Sequence, residues 1–292
     1  MVKTYSQLYL DARRALLSQE EDYDAGMIAR QLVCHVTGKS REYLLTNGSL
    51  YASTEASEAL DKALARLLAG EPLAYVLEEW DFYGMTLYVN EHVLIPRDDT
   101  CAVADLAISN ARLISDTPRV LDLCTGSGCI GLAVAKQVPS AKVTLGDISQ
   151  EALAVARKNI SLQKLNSRVS CMEINALEKP SAFLGKFDVI VSNPPYITTE
   201  EMGALPESVK DFEPHLALHG GDDGLDFYRT IAKNFRAALK PGGILCFEFG
   251  MGQGDDICRI LENNGFTILE RSKDFNHIER AVSARLDRED VE

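Results

Sequence analysis

Through the first seventy residues, apolar positions return every three to four residues. Ala25, Ile28, Ala29, Leu32 and Val36 fall on one helical face after Asp24, which suits an N-cap, and Gly38 stops the run. Leu60, Ala63, Leu64, Leu67 and Leu68 repeat the pattern after Ser53, with Gly70 and Pro72 as the stop. The spacing predicts a small helical bundle over 1–75. Between Trp80 and Pro96 the period falls toward two, and Gly84 suits a turn, so 76–97 reads as a β-hairpin linker. From 98 to 292 strands alternate with helices: RVLDLCT, a helix Cys129–Gln137, KVTLGDI, a helix Gln150–Asn159, VSCMEI, FDVIVSN, a helix near 225–239 and GGILCFEF. Runs this continuously apolar suit parallel strands covered on both faces. After a helix near 254–263, FTILER and AVSARL lie too close together for an intervening helix, which predicts a closing hairpin and one antiparallel strand at the sheet edge.

With 46% apolar and 25% charged residues among 292, the chain has enough apolar surface to fold, and disorder as its main state is excluded. The net charge of −13 is spread along the chain and repels nucleic acid, which weighs against a DNA-binding role. No apolar run approaches the roughly 18 residues that span a bilayer. The start MVKTYSQLYLDARR lacks the features of a signal peptide, so a cytoplasmic address is expected. Seven cysteines, with no CxxC pair and no His spaced to complete a zinc site, read as reduced, mostly buried thiols and give no metal site.

LDLCTGSGCIG places Gly126, Gly128 and Gly131 directly after a strand and at the start of a helix, where an open α/β sheet accepts an adenosyl ligand. Asp147 ends the next strand, 16 residues beyond Gly131, where a carboxylate can accept from both ribose hydroxyls. The loop by itself also permits a nicotinamide or flavin dehydrogenase, or a tight turn with no ligand, and Asp147 can alternatively cap the following helix. Two features favour S-adenosyl-L-methionine. DxxTGxG, with Asp122 inside the strand, resembles motif I of class I methyltransferases, and the closing hairpin resembles that fold's reversed strand.

FDVIVSNPPYI carries more. Pro194 and Pro195 end a buried strand abruptly, leaving Asn193, the Pro194 carbonyl and Tyr196 at its C-terminal edge, where ligands bind. An amide or exocyclic amino nitrogen is a poor nucleophile because its lone pair is delocalised. Two rigid acceptors, the Asn193 side-chain oxygen and the Pro194 carbonyl, can each take one N–H, aim the lone pair at a sulfonium methyl and stabilise the developing positive charge. Tyr196 can stack on the planar amide, an effect of about 0.5–2 kcal/mol. The proton leaves after methyl transfer, so no base is required.

LDLCTGSG, GDISQEALAVARKN, FDVIVSNPPYI, DFEPHLALHGGDDGLDFYR and KPGGILCFEFGMGQ together resemble the N5-glutamine methyltransferases of the HemK/PrmC family, which modify the GGQ glutamine of peptide chain release factors. EPLAYVLEEWDFYG and VLIPRDDT extend the resemblance to that family's linker. The resemblance implies an α/β class I S-adenosylmethionine-dependent methyltransferase fold, a seven-stranded mostly parallel sheet with helices on both faces, and makes the helical bundle a substrate-docking domain. It implies a glutamine pocket of Asn193, Pro194, Pro195 and Tyr196. It also implies a cofactor site built from Asp122, the loop Cys124, Thr125, Gly126, Ser127 and Gly128, then Asp147 and Ile148, Asn175 and Ala176, and Asn193. Cys124 stands where the family usually has Gly, and Asn175 where an Asp commonly meets the adenine amino group; Leu77 to Glu79 and Asp98 to Thr100 depart from the usual linker wording.

Three other readings remain open at this level. An adenine-N6 methyltransferase acting on DNA or RNA poses the same lone-pair problem, though no Lys/Arg stripe is visible. A glutamine methyltransferase acting on a ribosomal protein would differ only in docking. A binding module without turnover would keep the fold alone. GGDDGLDFYR is either a turn capping the next helix or part of the substrate mouth, DREDVE a solvated tail, and Glu248 and Gln253 have no assigned role.

Overall fold

The computed structural model of the chain describes residues 3–17 and 24–287, so most of DREDVE lies outside the described residues. Two compact units separate at Glu78 and Glu79. In the first, helices Tyr5–Leu16, Ala25–Thr37, Arg41–Thr46, Thr54–Leu68 and Leu73–Leu77 enclose Leu8, Leu32 and Leu60. Asp24 and Ser53 cap as their side chains dictate, accepting from Met27 and Ala56 N–H, and Gly38 ends its helix in the left-handed region at φ 61°.

The second unit begins with the hairpin β1 (Glu79–Phe82) and β2 (Met85–Tyr88), turning through Tyr83 and Gly84, both at positive φ. A seven-stranded sheet follows: β3 (Arg119–Leu123), β4 (Lys142–Asp147), β5 (Val169–Glu173), β6 (Phe187–Ser192), β7 (Leu239–Glu248), β8 (Phe266–Lys273) and β9 (Glu279–Leu286), in the order β5-β4-β3-β6-β7-β9-β8. Alternation divides each strand between two cores. Val120, Val189, Val191 and Cys246 join one, while Leu121, Leu123, Ile190 and Leu245 join the other. The order reverses between β3 and β6, which opens a crevice at their C-terminal ends.

Three elements differ from expectation. The reversed strand β9 is not at the edge; it inserts between β7 and β8, antiparallel to both, and the exposed β8 takes the edge. The helix expected near 225–239 is α-helical only over Asp226–Asn234 and is continued by a 3-10 turn Phe235–Ala238. A helix Cys101–Ile114, absent from the expectation, covers the first core; Thr100 precedes it with helical φ and ψ and no side-chain cap, so no start signal marks it. Of the seven free thiols only Cys129 and Cys246 are buried; the other five lie on helices, on the edge strand β5 or in the turn after β3, where part of each meets solvent. Among the described residues no helix is long and apolar enough to cross a membrane.

Candidate active site

The turn after β3 needs left-handed backbone at Cys124 (φ 59°), Gly126 (φ 52°) and Gly128 (φ 84°). That geometry explains why a glycine suits position 124, and why an unbranched Cys is tolerated there. Gly131 is needed for a different reason: an added Cβ would lie 2.3 Å from Leu145 Cδ2 and 2.9 Å from Asp122 Oδ2.

Asp122 is completely buried in β3. Its Oδ2 accepts from Thr125 Oγ1 at 2.6 Å and from the Gly131 N–H at 2.8 Å, and Oδ1 has no partner. Burial pushes its carboxyl up to about 7 against the pull of those donors. Asp147 at the end of β4 accepts from Gly126 N–H at 2.9 Å and Ser149 N–H at 3.0 Å. Burial raises it, and these backbone donors lower it. Ser149, not Asp147, caps the next helix by accepting from Ala152 N–H at 3.0 Å, so the capping alternative for Asp147 falls away.

Four amides of the loop and the helix start after it are committed within the fold. Thr125 N–H donates to the Gly146 carbonyl at 3.0 Å and Gly128 N–H to that of Thr125 at 2.8 Å, while the Gly126 and Gly131 amides serve the two carboxylates. A dinucleotide's pyrophosphate needs such amides free. The loop instead offers acceptors and carboxylate oxygens, which fit ribose hydroxyls and a cationic methionyl end.

The loop opens onto a cavity of about 290 Å³. Cys124 to Ser127 form one wall, Asp147 and Ile148 the next, and Asn175, Ala176, Asn193 and Pro195 another, with the segments around Pro96 and Pro214 closing the rest and no Lys or Arg among the described lining residues. Asp122, Gly128, Pro194 and Tyr196 stand behind that surface. Asn175 holds its own turn, accepting from Leu177 N–H and donating to Glu178 Oε1, both at 3.0 Å.

β6, buried at all six positions, delivers the Asn193–Tyr196 turn to the cavity. Ser192 Oγ donates to the Leu123 carbonyl at 2.6 Å and fixes the β6 end against the glycine loop. Glycines then pack against the turn. A Cβ on Gly220 would lie 2.6 Å from the Pro195 carbonyl oxygen, and one on Gly224 2.3 Å from that of Tyr196. Gln253 bridges the other side, accepting from Gly250 N–H at 2.9 Å and donating to the Tyr196 carbonyl at 3.2 Å. The helix Asp226–Asn234 has no side-chain cap, so GGDDG serves as backing for the Asn193–Tyr196 turn. Burial pushes Tyr196 up to about 12, which keeps its ring neutral.

Several contributors carry no local motif. Asn159, wholly buried, accepts from Tyr88 N–H at 2.7 Å and donates to the Tyr88 and Ser127 carbonyls, both at 2.9 Å, joining the hairpin to the glycine loop. Arg97 pairs with the buried Glu213, which also accepts from Ile95 N–H at 3.2 Å. That pair joins the segments that carry Pro96 and Pro214, both in the cavity wall. Only sheet register brings Glu248 beside Asn193.

Residues 106–221 match the model of the methyltransferase small domain, and residues 7–77 that of the PrmC N-terminal domain. A release factor glutamine methyltransferase of Clostridium acetobutylicum is 38% identical over 253 residues, covering 87% of this chain and 88% of that protein. One of Geobacter sulfurreducens is 37% identical over 279 residues, covering 95% of each. A methyltransferase structure from Pyrococcus furiosus, 18% identical with a TM-score of 0.51, covers 78% of this chain and 99% of that one and shares the fold. With identity of 37–38% over 87–95% of the chain, and with family models matched in both units, the chain belongs to the release factor glutamine methyltransferase family.

Proposed function

We propose that the chain transfers a methyl group from S-adenosyl-L-methionine to N5 of the glutamine in the GGQ motif of a peptide chain release factor, in the cytoplasm, with the 1–75 bundle as docking domain and the 76–97 hairpin segment as linker. The observation that carries the reading is the convergence, on one cavity with no Lys or Arg among its described lining residues, of a carboxylate-braced glycine loop and a rigid Asn-Pro-Pro-Tyr turn.

Cys124 to Gly128, Asp147 with Ile148, and Asn175 with Ala176 would hold the cofactor, and Asp122, with one oxygen unpartnered, suits its cationic end. When bound, S-adenosylmethionine supplies an electrophilic methyl group. Everything else falls to the chain. The Asn193 oxygen and the Pro194 carbonyl each accept one N–H of the glutamine amide, turning its lone pair toward the glycine-loop side of the cavity. Because the prolines and the packed glycines hold that turn, the acceptors need not reorganise as positive charge grows on nitrogen. Tyr196 offers a ring face to the amide. The extra proton is acidic once the nitrogen is alkylated and can pass to water.

Labelled S-adenosylmethionine incubated separately with a purified release factor, a ribosomal protein fraction and DNA tests the reading. Mass mapping is expected to find the label on the GGQ glutamine. Label on adenine, on a ribosomal protein alone, or nowhere overturns it.

A further inference from the structure

Glu248 is the last residue of β7 and only 3% exposed, and its Oε2 has no hydrogen-bond partner. Phe247 pairs with Ser192, so Glu248 and Asn193 are the next residues on adjacent parallel strands. Ile244 and Cys246 share a core with Val189 and Val191, which puts Glu248 on the face along which Asn193 continues β6. The side chains of Thr100 and Asn193 are the polar groups beside its carboxyl. Tyr228 Oη donates to the Glu248 carbonyl at 2.8 Å and fixes its backbone. Thr100 and Asn193 line the cavity, whereas Glu248 does not. A buried carboxylate is costly unless it acts on something.

The geometry points to Glu248 as the positioning residue that sets which end of the Asn193 carboxamide faces the glutamine pocket. This rests on the proposed role of Asn193. A carboxamide has two ends of nearly equal shape, one accepting and one donating, so its neighbours choose its orientation. An ionised Glu248 can only accept. It therefore draws the Asn193 amino group toward itself, leaves Oδ1 facing the pocket, and polarises that oxygen for a substrate that gains positive charge. A protonated Glu248 can donate to Oδ1 and releases the constraint.

Burial pushes the Glu248 carboxyl up to about 8; Thr100, Arg280 and Asn193 pull it down, and Asp99 pushes it further up. Arg280 shares its charge between Asp99 and Asp274, each at 3.1 Å. The other titratable groups facing it are Tyr196, Tyr228, Cys101 and Cys129, all raised by burial and neutral over the working range. The orienting form of Glu248 is therefore reached as pH rises through about 8.

The test uses the full chain, Glu248→Gln, Asn193→Ala and the double variant. Turnover is read with a purified release factor and S-adenosylmethionine, from about pH 6 to about pH 9. The Asn193 side-chain amide is followed by ¹⁵N NMR in the free protein. Wild-type kcat is expected to rise at least roughly tenfold over that range, with KM changing less, while Glu248→Gln loses the part of the rise centred at about pH 8 and stays below the wild-type plateau. On the Asn193→Ala background Glu248→Gln is expected to cost nothing more, because it acts through Asn193. The Asn193 amide is expected to shift with pH in the wild type and not in Glu248→Gln. An unshifted wild-type amide, a wild-type pH profile in Glu248→Gln, or an additive loss in the double variant overturns the inference and leaves the role of Asn193 standing. Wild-type turnover in Asn193→Ala overturns that role, and the inference with it.

Discussion

The three-glycine loop separates into two physical jobs, and two single substitutions tell them apart. Gly126 sits at φ 52° with nothing within 4 Å of an added Cβ, and it lines the cavity. Gly126→Ala therefore costs about 1–2 kcal/mol of left-handed strain. For a unit of this size that lowers Tm by roughly 2–8 °C. Its methyl group must occupy space at the cavity wall, so affinity for S-adenosylmethionine is expected to fall at least about tenfold, equivalent to about 1.4 kcal/mol. Gly131→Ala carries no unfavourable φ, but its Cβ would overlap Leu145 and Asp122, both on buried strands. Overpacking there costs about 1–3 kcal/mol. Displacing Asp122 also loosens its bonds to Thr125 and the Gly131 N–H, so the upper end or beyond is expected. Scanning calorimetry and isothermal titration on both variants give the comparison. Gly126→Ala should lose more affinity than stability, and Gly131→Ala the reverse. If Gly131→Ala melts like wild type while Gly126→Ala unfolds, the close-approach argument is wrong.

Asn193→Ala should keep its melting temperature and most cofactor affinity while losing at least roughly 10- to 100-fold in kcat, from one acceptor worth about 1–3 kcal/mol. His92→Gln, which changes the only imidazole lining the cavity among the described residues, should stay within about threefold of wild type if no base is needed, and a collapse of kcat would contradict that chemistry. For Tyr196, Phe should outperform Ala in steady-state turnover if the ring stacks on the amide and the hydroxyl plays no part; the opposite ranking removes stacking. Asp147→Ala should weaken S-adenosylmethionine binding by calorimetry, and unchanged affinity would exclude the ribose contact. Glu248 also links stability to pH. Its folded value of about 8 lies above the ordinary 4.5, so the native state keeps a proton that the unfolded chain has released. Its contribution is full below about pH 4.5 and is lost as pH rises through about 8, by on the order of a few kcal/mol. Glu248→Gln should therefore melt above wild type near about pH 9 and beside it near about pH 5, and an unchanged gap would contradict a buried carboxylate.

Where a signal is local, the chain states it. Asp24 and Ser53 mark helix starts because their side chains cap, and the break at Asn193 follows from two prolines without N–H donors. Where structure depends on partners, the chain is silent. AVSARL has the alternation of a strand, yet nothing in it tells β9 to insert between β7 and β8, because register is settled by the facing strand. The helix Cys101–Ile114 lacks both a cap and a sharp polar face, with seven of its fourteen residues buried. The site divides in the same way. Glycines, prolines and Asp147 announce themselves by spacing. Thr100, Asn159, Glu213 and Glu248 reach the site from distant positions, and only the folded sheet makes them neighbours.

That division has a thermodynamic reason. Asp122 and Glu248 are buried carboxyls, each with an unpartnered oxygen, on strands flanking β6, and burial holds both above the ordinary carboxylate range. Apolar residues of similar volume would be expected to stabilise the fold. The sheet can carry this cost because Leu121, Leu123, Ile190 and Leu245 are fully buried beside them. What the arrangement gains is direction. Two carboxyls flank Asn193, and no Lys or Arg among the described residues lines the cavity to neutralise them when they ionise, so a ligand that is cationic, or becomes so during reaction, is favoured there over an anionic one. The overall charge of −13 acts the same way at longer range, turning away polyanions that could compete for an amide-binding turn. Selectivity for a carboxamide on a protein thus begins in the electrostatics of the sheet, before any docking contact is made.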